Sequence, residues 1–341
     1  MRIAVVASPV SPLRPAQLGG AQAFICDLAL GLARRGHSVT LHCAEGSELE
    51  GVRLVTVPMP RDAASALVMP GGPEPPSAPG VDAAIALMLD QVRALAVDAV
   101  SQHAFDAAAL EFATGLPVLH TLHLPPIVAS VASAARRVPS HRLATVSRSC
   151  QAEWRTDGVE VGVVLPNGVA DIPVDDVPSY AALVAGRISP EKGIEHAIAA
   201  SRAAGLAVRV AGAHYDPAYE VDLEGTELLG SLAREELRRV MARSAVTVCA
   251  ARWEEPFGMV AAEAQMAGCP VAAYRRGALP EVVEQGVSGY LAEPDDIEGL
   301  TGAIRRCLTL DRLRVHASAV QRLGLEAAID RYEVALRKVA S

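Results

Sequence analysis

Two carboxylates with seven residues between them mark the chemistry this sequence can do. In the stretch 253–271, W-E-E-P-F-G-M-V-A-A-E-A-Q-M-A-G-C-P-V, Glu255 stands just before an Ala-rich helix and Glu263 inside it, with Pro256 and Gly258 at the helix start. Proline is at home in a first helical turn, where its missing N–H would have no intrahelical partner, and Gly258 lets a ligand approach the backbone. The N–H groups of Phe257, Gly258, Met259 and Val260 then point out of the helix end, a place that suits a phosphate. At about 1.5 Å of rise per residue, the two carboxylates stand up to ~12 Å apart along the axis. That is about the reach from a sugar ring, past a diphosphate, to a ribose. The pattern describes a nucleotide-sugar clamp, with hydroxyl recognition on both sides of a pyrophosphate.

Acidic residues near a helix start are common in themselves, because the dipole favours them. What distinguishes this pair is its frame: apolar strands at 245–250 and 270–273 bracket the helix, and a doubly wound sheet binds ligands where strand ends meet helix starts. A second constellation lies in G-R-I-S-P-E-K-G at 186–193, between a strand at 180–185 and a helix at 194–203. Alone, Arg187 and Lys192 read as surface cations around a Ser-Pro turn. Projected from the same sheet edge as Glu255, they offer positive potential to one diphosphate.

In the first half, Gly19-Gly20 opens a helix at 21–35 after the strand 3–7. Such glycines either permit a turn or let backbone N–H groups meet a phosphate or sugar. No G-x-G-x-x-G follows that strand, so a nicotinamide-type fingerprint is lacking. The strand 117–122 delivers His123 at its C-terminal end. A histidine beside a strand is commonly structural, and a strand end facing a cleft makes it a candidate site residue. His120 and His123 form an H-x-x-H, but the spacing is strand-like and no third ligand is near, so no metal is expected.

The elements that must carry these groups alternate, strand then helix, through both halves of the 341 residues. That length suits two domains, and the alternation predicts an α/β protein of two doubly wound, parallel-sheet, Rossmann-like domains with the site in the cleft between them. The stretch 58–79, rich in Pro, Gly and Ala, reads as a mobile surface loop that could border an acceptor site. Two long C-terminal helices are expected, at 296–309 and 311–340. A net charge of −8 argues against a nucleic-acid partner and against an anionic membrane. No apolar run approaches the ~20 residues of a membrane span. The first strand is too short for a secretory segment, so a cytoplasmic protein is expected. The six cysteines are scattered without a C-x-x-C, as buried thiols would be.

Taken together, G-R-I-S-P-E-K-G at 186–193, E-P-F-G-M-V-A-A-E-A-Q-M-A-G-C-P-V at 255–271, L-P-N-G-V at 165–169 and G-G-A-Q-x-F-x-x-D-L-A-x-G-L-A-R-R-G-H-x-V-T at 19–40 resemble the retaining glycosyltransferases of family 4, which have the GT-B fold. The resemblance covers nearly the whole chain and is strongest in the second half. It implies an acceptor-binding domain at 1–169, a linker at 170–179, a nucleotide-sugar-binding domain at 180–325, and a helix at 326–341 that crosses back to the first domain. By the same resemblance, Arg187 and Lys192 bind the donor diphosphate, Glu255 the sugar hydroxyls and Glu263 the ribose. The amides of Phe257, Gly258, Met259 and Val260 hold sugar and phosphate oxygens, His123 contacts the sugar, and Gly19 and Gly20 contribute a first-loop contact.

The reaction so implied moves a hexose from a nucleotide diphosphate sugar, UDP being the commoner carrier in the family, to an acceptor hydroxyl; the acidic net charge and the lack of an evident basic-apolar helix favour a small soluble acceptor over a lipid-linked one. The reaction retains configuration and uses no metal and no cofactor. The chain is compact for the family, and its 58–79 stretch matches no family motif. Three other readings compete: a GT-B sugar-nucleotide epimerase, a membrane-associated glycosyltransferase with a lipid-linked acceptor, and a nucleotide-sugar-binding module without catalysis.

Overall fold

The computed structural model describes residues 1–14, 19–67, 70, 72–174, 180–215 and 219–340. It divides into two compact units, Met1–Pro166 together with the chain from Glu326 onward, and Asn167–Leu325. Each is built on one parallel sheet. Runs such as RIAVV and VLHTL, apolar on both faces rather than alternating, make strands that helices must cover on both sides.

The first unit holds β1 (Arg2–Val6), β2 (Ser38–Ala44), β3 (Arg53–Val57), β4 (Ala99–Gln102), β5 (Val118–Leu122), β6 (Leu143–Thr145) and β7 (Val163–Val164), ordered β3-β2-β1-β4-β5-β6-β7. The second holds β8 (Ala181–Ala185), β9 (Ala207–Ala211), β10 (Glu227–Gly230), β11 (Val246–Cys249), β12 (Val271–Tyr274) and β13 (Gly289–Ala292), ordered β10-β9-β8-β11-β12-β13. In both sheets the strand order reverses beside the first strand of the unit, so the loops leaving β1 and β4, and those leaving β8 and β11, diverge and leave a crevice at the C-terminal edge.

Helices α1 (Gly20–Arg34), α2 (Pro79–Ala94), α3 (Ala107–Glu111), α4 (Ala129–Ala135) and α5 (Arg148–Thr156) flank the first sheet, and α6 (Ile194–Ala203), α7 (Arg234–Arg243), α8 (Met259–Met266), α9 (Leu279–Val282), α10 (Ile297–Cys307) and α11 (Arg312–Leu323) the second. Helical spacing sets the buried faces. Val81, Ile85, Met88, Leu89 and Val92 of α2 pack on Ala4, Val6, Val100 and Val118. Ile194 and Ile198 of α6 and Leu300 and Ile304 of α10 close over Val184, Val208, Val210 and Val248. None of the six cysteines is in a disulfide, and five of them are buried.

The helix expected at 311–340 is two helices, α11 and α12 (Leu325–Ala340). Gly324 between them is extended, at φ −61° and ψ 141°, because the backbone there pairs with Val169: Val169 donates to Leu323 O at 2.8 Å and accepts from Leu325 N at 2.9 Å. That pairing ties Val169 to the second unit, so the division falls after Pro166, three residues before the end of the expected first domain. Of the expected linker 170–179, residues 175–179 lie outside the described residues. From Glu326 on, α12 joins the first unit. Tyr332 and Ile329 are fully buried, a side chain at Gly31 would collide with Ile329, and Arg35 reaches Glu326 at 2.7 Å and Asp330 at 2.5 Å.

In the 58–79 stretch, expected to be a surface loop, the described residues make two hydrogen bonds to the rest of the first unit. Asp62 accepts from Gly80 N at 2.8 Å, and the Glu74 carboxylate accepts from Ala129 N at 3.0 Å at the start of α4. Residues 68, 69 and 71 lie outside the described residues.

Candidate functional site

Two glycines let the loops leaving β8, β11 and β12 meet. Gly193, at φ 60°, lies so close to the end of β11 that a Cβ would stand 2.1 Å from Ala250 O. Gly277, at φ 57°, brings the loop after β12 onto Glu255, where a Cβ would lie 2.3 Å from its N and 2.4 Å from its O. Ala278 N donates to Glu255 O at 2.8 Å. The backbone of Glu255 is thereby held against the loop after β12. Its carboxylate is held as well: Oε2 accepts from Lys192 Nζ at 2.8 Å and from Trp253 Nε1 at 2.9 Å. The ammonium also stands 5.4 Å from the centre of the Trp253 ring, within the range of a cation–π attraction.

Arg187 lies in the same loop as Lys192 but has its own partners. Its Nη2 donates to Glu191 Oε1 at 3.0 Å, and its guanidinium stacks over Tyr215 at 4.9 Å. Glu191 O in turn accepts from Arg252 N at 2.8 Å, joining the two loops again. The structure thus assembles Arg187, Lys192 and Glu255 on adjoining loops of one sheet edge.

The geometry of the helix start differs from the sequence-based expectation. Gly258 sits at φ 93°, in the left-handed region, and α8 begins only at Met259. Pro256 therefore precedes the helix rather than occupying its first turn, and the step from Glu255 to Glu263 is not a helical rise throughout. The first intrahelical bond runs from Ala262 N to Gly258 O at 3.0 Å. No side chain caps α8, and no acid stands in its first turn. The N–H groups ahead of Ala262, those of Met259 and Val260 among them, are left outside the helical bonding, at the positive end of the dipole.

Glu263 belongs to a different ionic group. It is buried, and its Oε1 accepts from Arg234 Nε at 3.0 Å with Arg238 Nη2 at 3.6 Å. The pairing with α7 was not visible in the 255–271 motif, because the two segments are joined only by the fold.

In the first unit, Gly19 is the N-cap of α1, whose start likewise has no side-chain cap and no acid, and Gly20 is its first residue. His123 follows β5 and is 7% exposed. Its Nε2 meets His103 Nδ1 at 2.9 Å, and Ser101 Oγ meets His103 Nε2 at 2.8 Å. Tyr332 of α12 packs beside His103, and Phe24 of α1 beside His123. Among the described residues the other ring nitrogen of His123 has no hydrogen-bond partner. Sequence reading left His103 without a role, although S-Q-H at the end of a strand puts Ser101 and His103 on one face. His120 turns to another partner, Gln102 Oε1, at 3.0 Å, so the H-x-x-H pair does not converge.

Burial holds these imidazoles neutral. His123 is pushed down from 6.5 to about 4, His120 to about 3 and, on β2, His42 to about 4, each chiefly by loss of water around the charged form. A group whose folded pKa is depressed stabilises the fold fully above its unfolded pKa and loses that contribution as pH falls toward the folded value. Stability is therefore expected to decline below pH ~6.5, with much of the fall before pH ~4. Thermal melts at pH 7.5 and 4.5 should differ by several degrees or more, and coincident melts would contradict buried, neutral histidines.

Comparison with known proteins places this geometry. The family "Glycosyltransferase Family 4" matches residues 18–171, and "Glycosyl transferases group 1" matches residues 175–322. A glycogen synthase of Mycobacterium tuberculosis is 33% identical over 138 residues, 37% of this chain and 33% of the relative. A D-inositol 3-phosphate glycosyltransferase of Nocardioides sp. is 38% identical over 109 residues, 30% of this chain and 24% of the relative. The aligned parts thus span a third or less of these curated relatives. Among solved structures, AviGT4, a glycosyltransferase involved in avilamycin A biosynthesis, superposes with a TM-score of 0.75 at 22% identity, covering 100% of this chain and 98% of that one. HepE of Anabaena, solved in complex with UDP-glucose, gives 0.74 at 19% identity, covering 99% and 100%. At such identities the likeness establishes the fold, which is GT-B.

Proposed function

The chain belongs to the family 4-type glycosyltransferases, and on that ground we propose that it transfers a hexose from a nucleotide diphosphate sugar, UDP-linked, to a hydroxyl of a small soluble acceptor with retention of configuration. The observation that carries this reading is the Lys192–Glu255 pair at the β8/β11 crevice, beside the uncapped start of α8. Breaking the anomeric C–O bond builds negative charge on the departing diphosphate and oxocarbenium character on the sugar. Fixed cations and helix amides stabilise the leaving group without having to reorganise, each worth on the order of 2–4 kcal/mol.

Arg187, Lys192 and the amides of Phe257, Gly258, Met259 and Val260 take that role; within the first unit, the Gly19 and Gly20 amides at the start of α1 suit a phosphate or sugar oxygen. Glu255 accepts from the sugar hydroxyls, Glu263 from the ribose, and His123 contacts the sugar. Attack comes from the face the diphosphate leaves, and the leaving phosphate takes the acceptor's proton. No side chain serves as nucleophile or base, and no metal or cofactor enters. The name of the inositol phosphate relative supports a polyol or sugar phosphate as acceptor. Cysteines outside any disulfide suit a reducing compartment such as the cytoplasm, and among the described residues no helix is long and apolar enough to cross a membrane.

The test is incubation with UDP-glucose and its GDP, ADP and dTDP counterparts, with and without polyol and sugar-phosphate acceptors. Acceptor-dependent release of nucleoside diphosphate, a retained anomeric linkage and rates unchanged by EDTA are expected. An epimerised donor formed without acceptor, or rates abolished by EDTA and restored by a divalent ion, would contradict the proposal.

A further inference from the structure

Glu255 carries two donors on one oxygen. Lys192 Nζ and Trp253 Nε1 both bond Oε2, at 2.8 and 2.9 Å, and among the described residues no donor bonds Oε1. A carboxylate offers about four lone-pair positions over its two oxygens, so Oε1 keeps its accepting capacity. The two donors also differ in what they are free to do. The Lys192 ammonium sits on a flexible stem and, on the reading above, is drawn toward the donor diphosphate. The indole N–H has no other task and stands only two residues from the carboxylate it holds.

We propose that Trp253 is a positioning residue for the donor sugar: its indole N–H holds Glu255 Oε2 so that Oε1 faces the sugar hydroxyls, and it keeps that orientation when Lys192 engages the diphosphate. This rests on the glycosyltransferase reading. A carboxylate left without Trp253 would depend on Lys192 alone, and binding of the donor would remove the one group that aims it. The ring serves Lys192 at the same time, lying 5.4 Å from its ammonium.

Trp253→Phe keeps an aromatic face beside Lys192 and deletes the N–H, and Trp253→His restores a ring N–H in a smaller frame. Titration calorimetry would read the affinity for UDP and for UDP-glucose, and UDP release would give kcat. In Trp253→Phe, UDP affinity should stay within about twofold of wild type, the extra affinity contributed by the sugar should vanish, and kcat should fall about ten- to a hundredfold, the usual worth of a hydrogen bond to a charged group. Trp253→His should recover part of that loss. In a Glu255→Ala background Trp253→Phe should cost nothing further, since both act through one carboxylate.

A Trp253→Phe enzyme with wild-type kcat and an intact sugar increment would overturn the inference. So would a loss of UDP affinity as large as the loss of turnover, which would mark Trp253 as packing for the phosphate loop. Wild-type protein that binds no nucleoside diphosphate would instead overturn the glycosyltransferase reading, and the role of Trp253 with it.

Discussion

Glu255→Ala is expected to lose turnover by a factor on the order of 10² or more while keeping its affinity for nucleoside diphosphate. The magnitude follows from bonds between a charged carboxylate and sugar hydroxyls, roughly 1.5–3 kcal/mol each, that strengthen as the ring gains positive character. The separation of the two effects follows from the structure. Glu255 is Lys192's ion-pair partner at 2.8 Å, so in the apo protein it competes with phosphate for the ammonium, and removing it leaves Lys192 free to meet the diphosphate. The fold should tolerate the change. The Glu255 backbone bond to Ala278 N and the close packing of Gly277 do not depend on the side chain. Turnover and UDP affinity measured on one preparation check this, and a parallel loss of both would place Glu255 among the phosphate ligands instead.

The Arg187→Ala/Lys192→Ala double variant is expected to lose both donor affinity and turnover, the latter by 10³-fold or more, since each preorganised charge on a leaving group is worth about 10²–10³. Removing the cations also leaves two carboxylates without their ion-pair partners. Glu191 is only 5% and Glu255 15% exposed at the side chain, and with no cation beside them they would repel a diphosphate where the wild type attracts it. Some loss of thermal stability accompanies the change, because a partly buried charge left alone costs more than the pair contributed. Wild-type rates from the double variant would end the diphosphate assignment.

Much of this site could be read from the chain before any coordinates. G-R-I-S-P-E-K-G and E-P-F-G-M-V-A-A-E carry their chemistry in local order, and the alternation of strands and helices fixes which loops share a sheet edge. What escaped reading depends on contacts between distant segments or on the left-handed glycines. Pro256 looks like a helix-start proline, but Gly258 at φ 93° caps the helix after it. Glu263 looks like an open carboxylate, and only the packing of α7 on α8 shows Arg234 and Arg238 against it. The break at Gly324 needs Val169, far away in the chain, to pair with its neighbours. His103 lies 20 residues from His123, and nothing in their spacing predicts a 2.9 Å contact. Trp253 is the exception: it stands two residues from Glu255, and its one polar atom was available to be counted.

Titration calorimetry of UDP, GDP, ADP and dTDP into the wild type and into Lys192→Ala tests most directly whether the Lys192–Glu255 crevice takes a nucleoside diphosphate. UDP is expected to bind the wild type and Lys192→Ala to lose that binding by tenfold or more, while the variant's melting temperature shows it folded. If none of the four binds the wild type above background, or if Lys192→Ala binds as well as wild type, the crevice is not a diphosphate site and the transferase assignment of these residues is wrong.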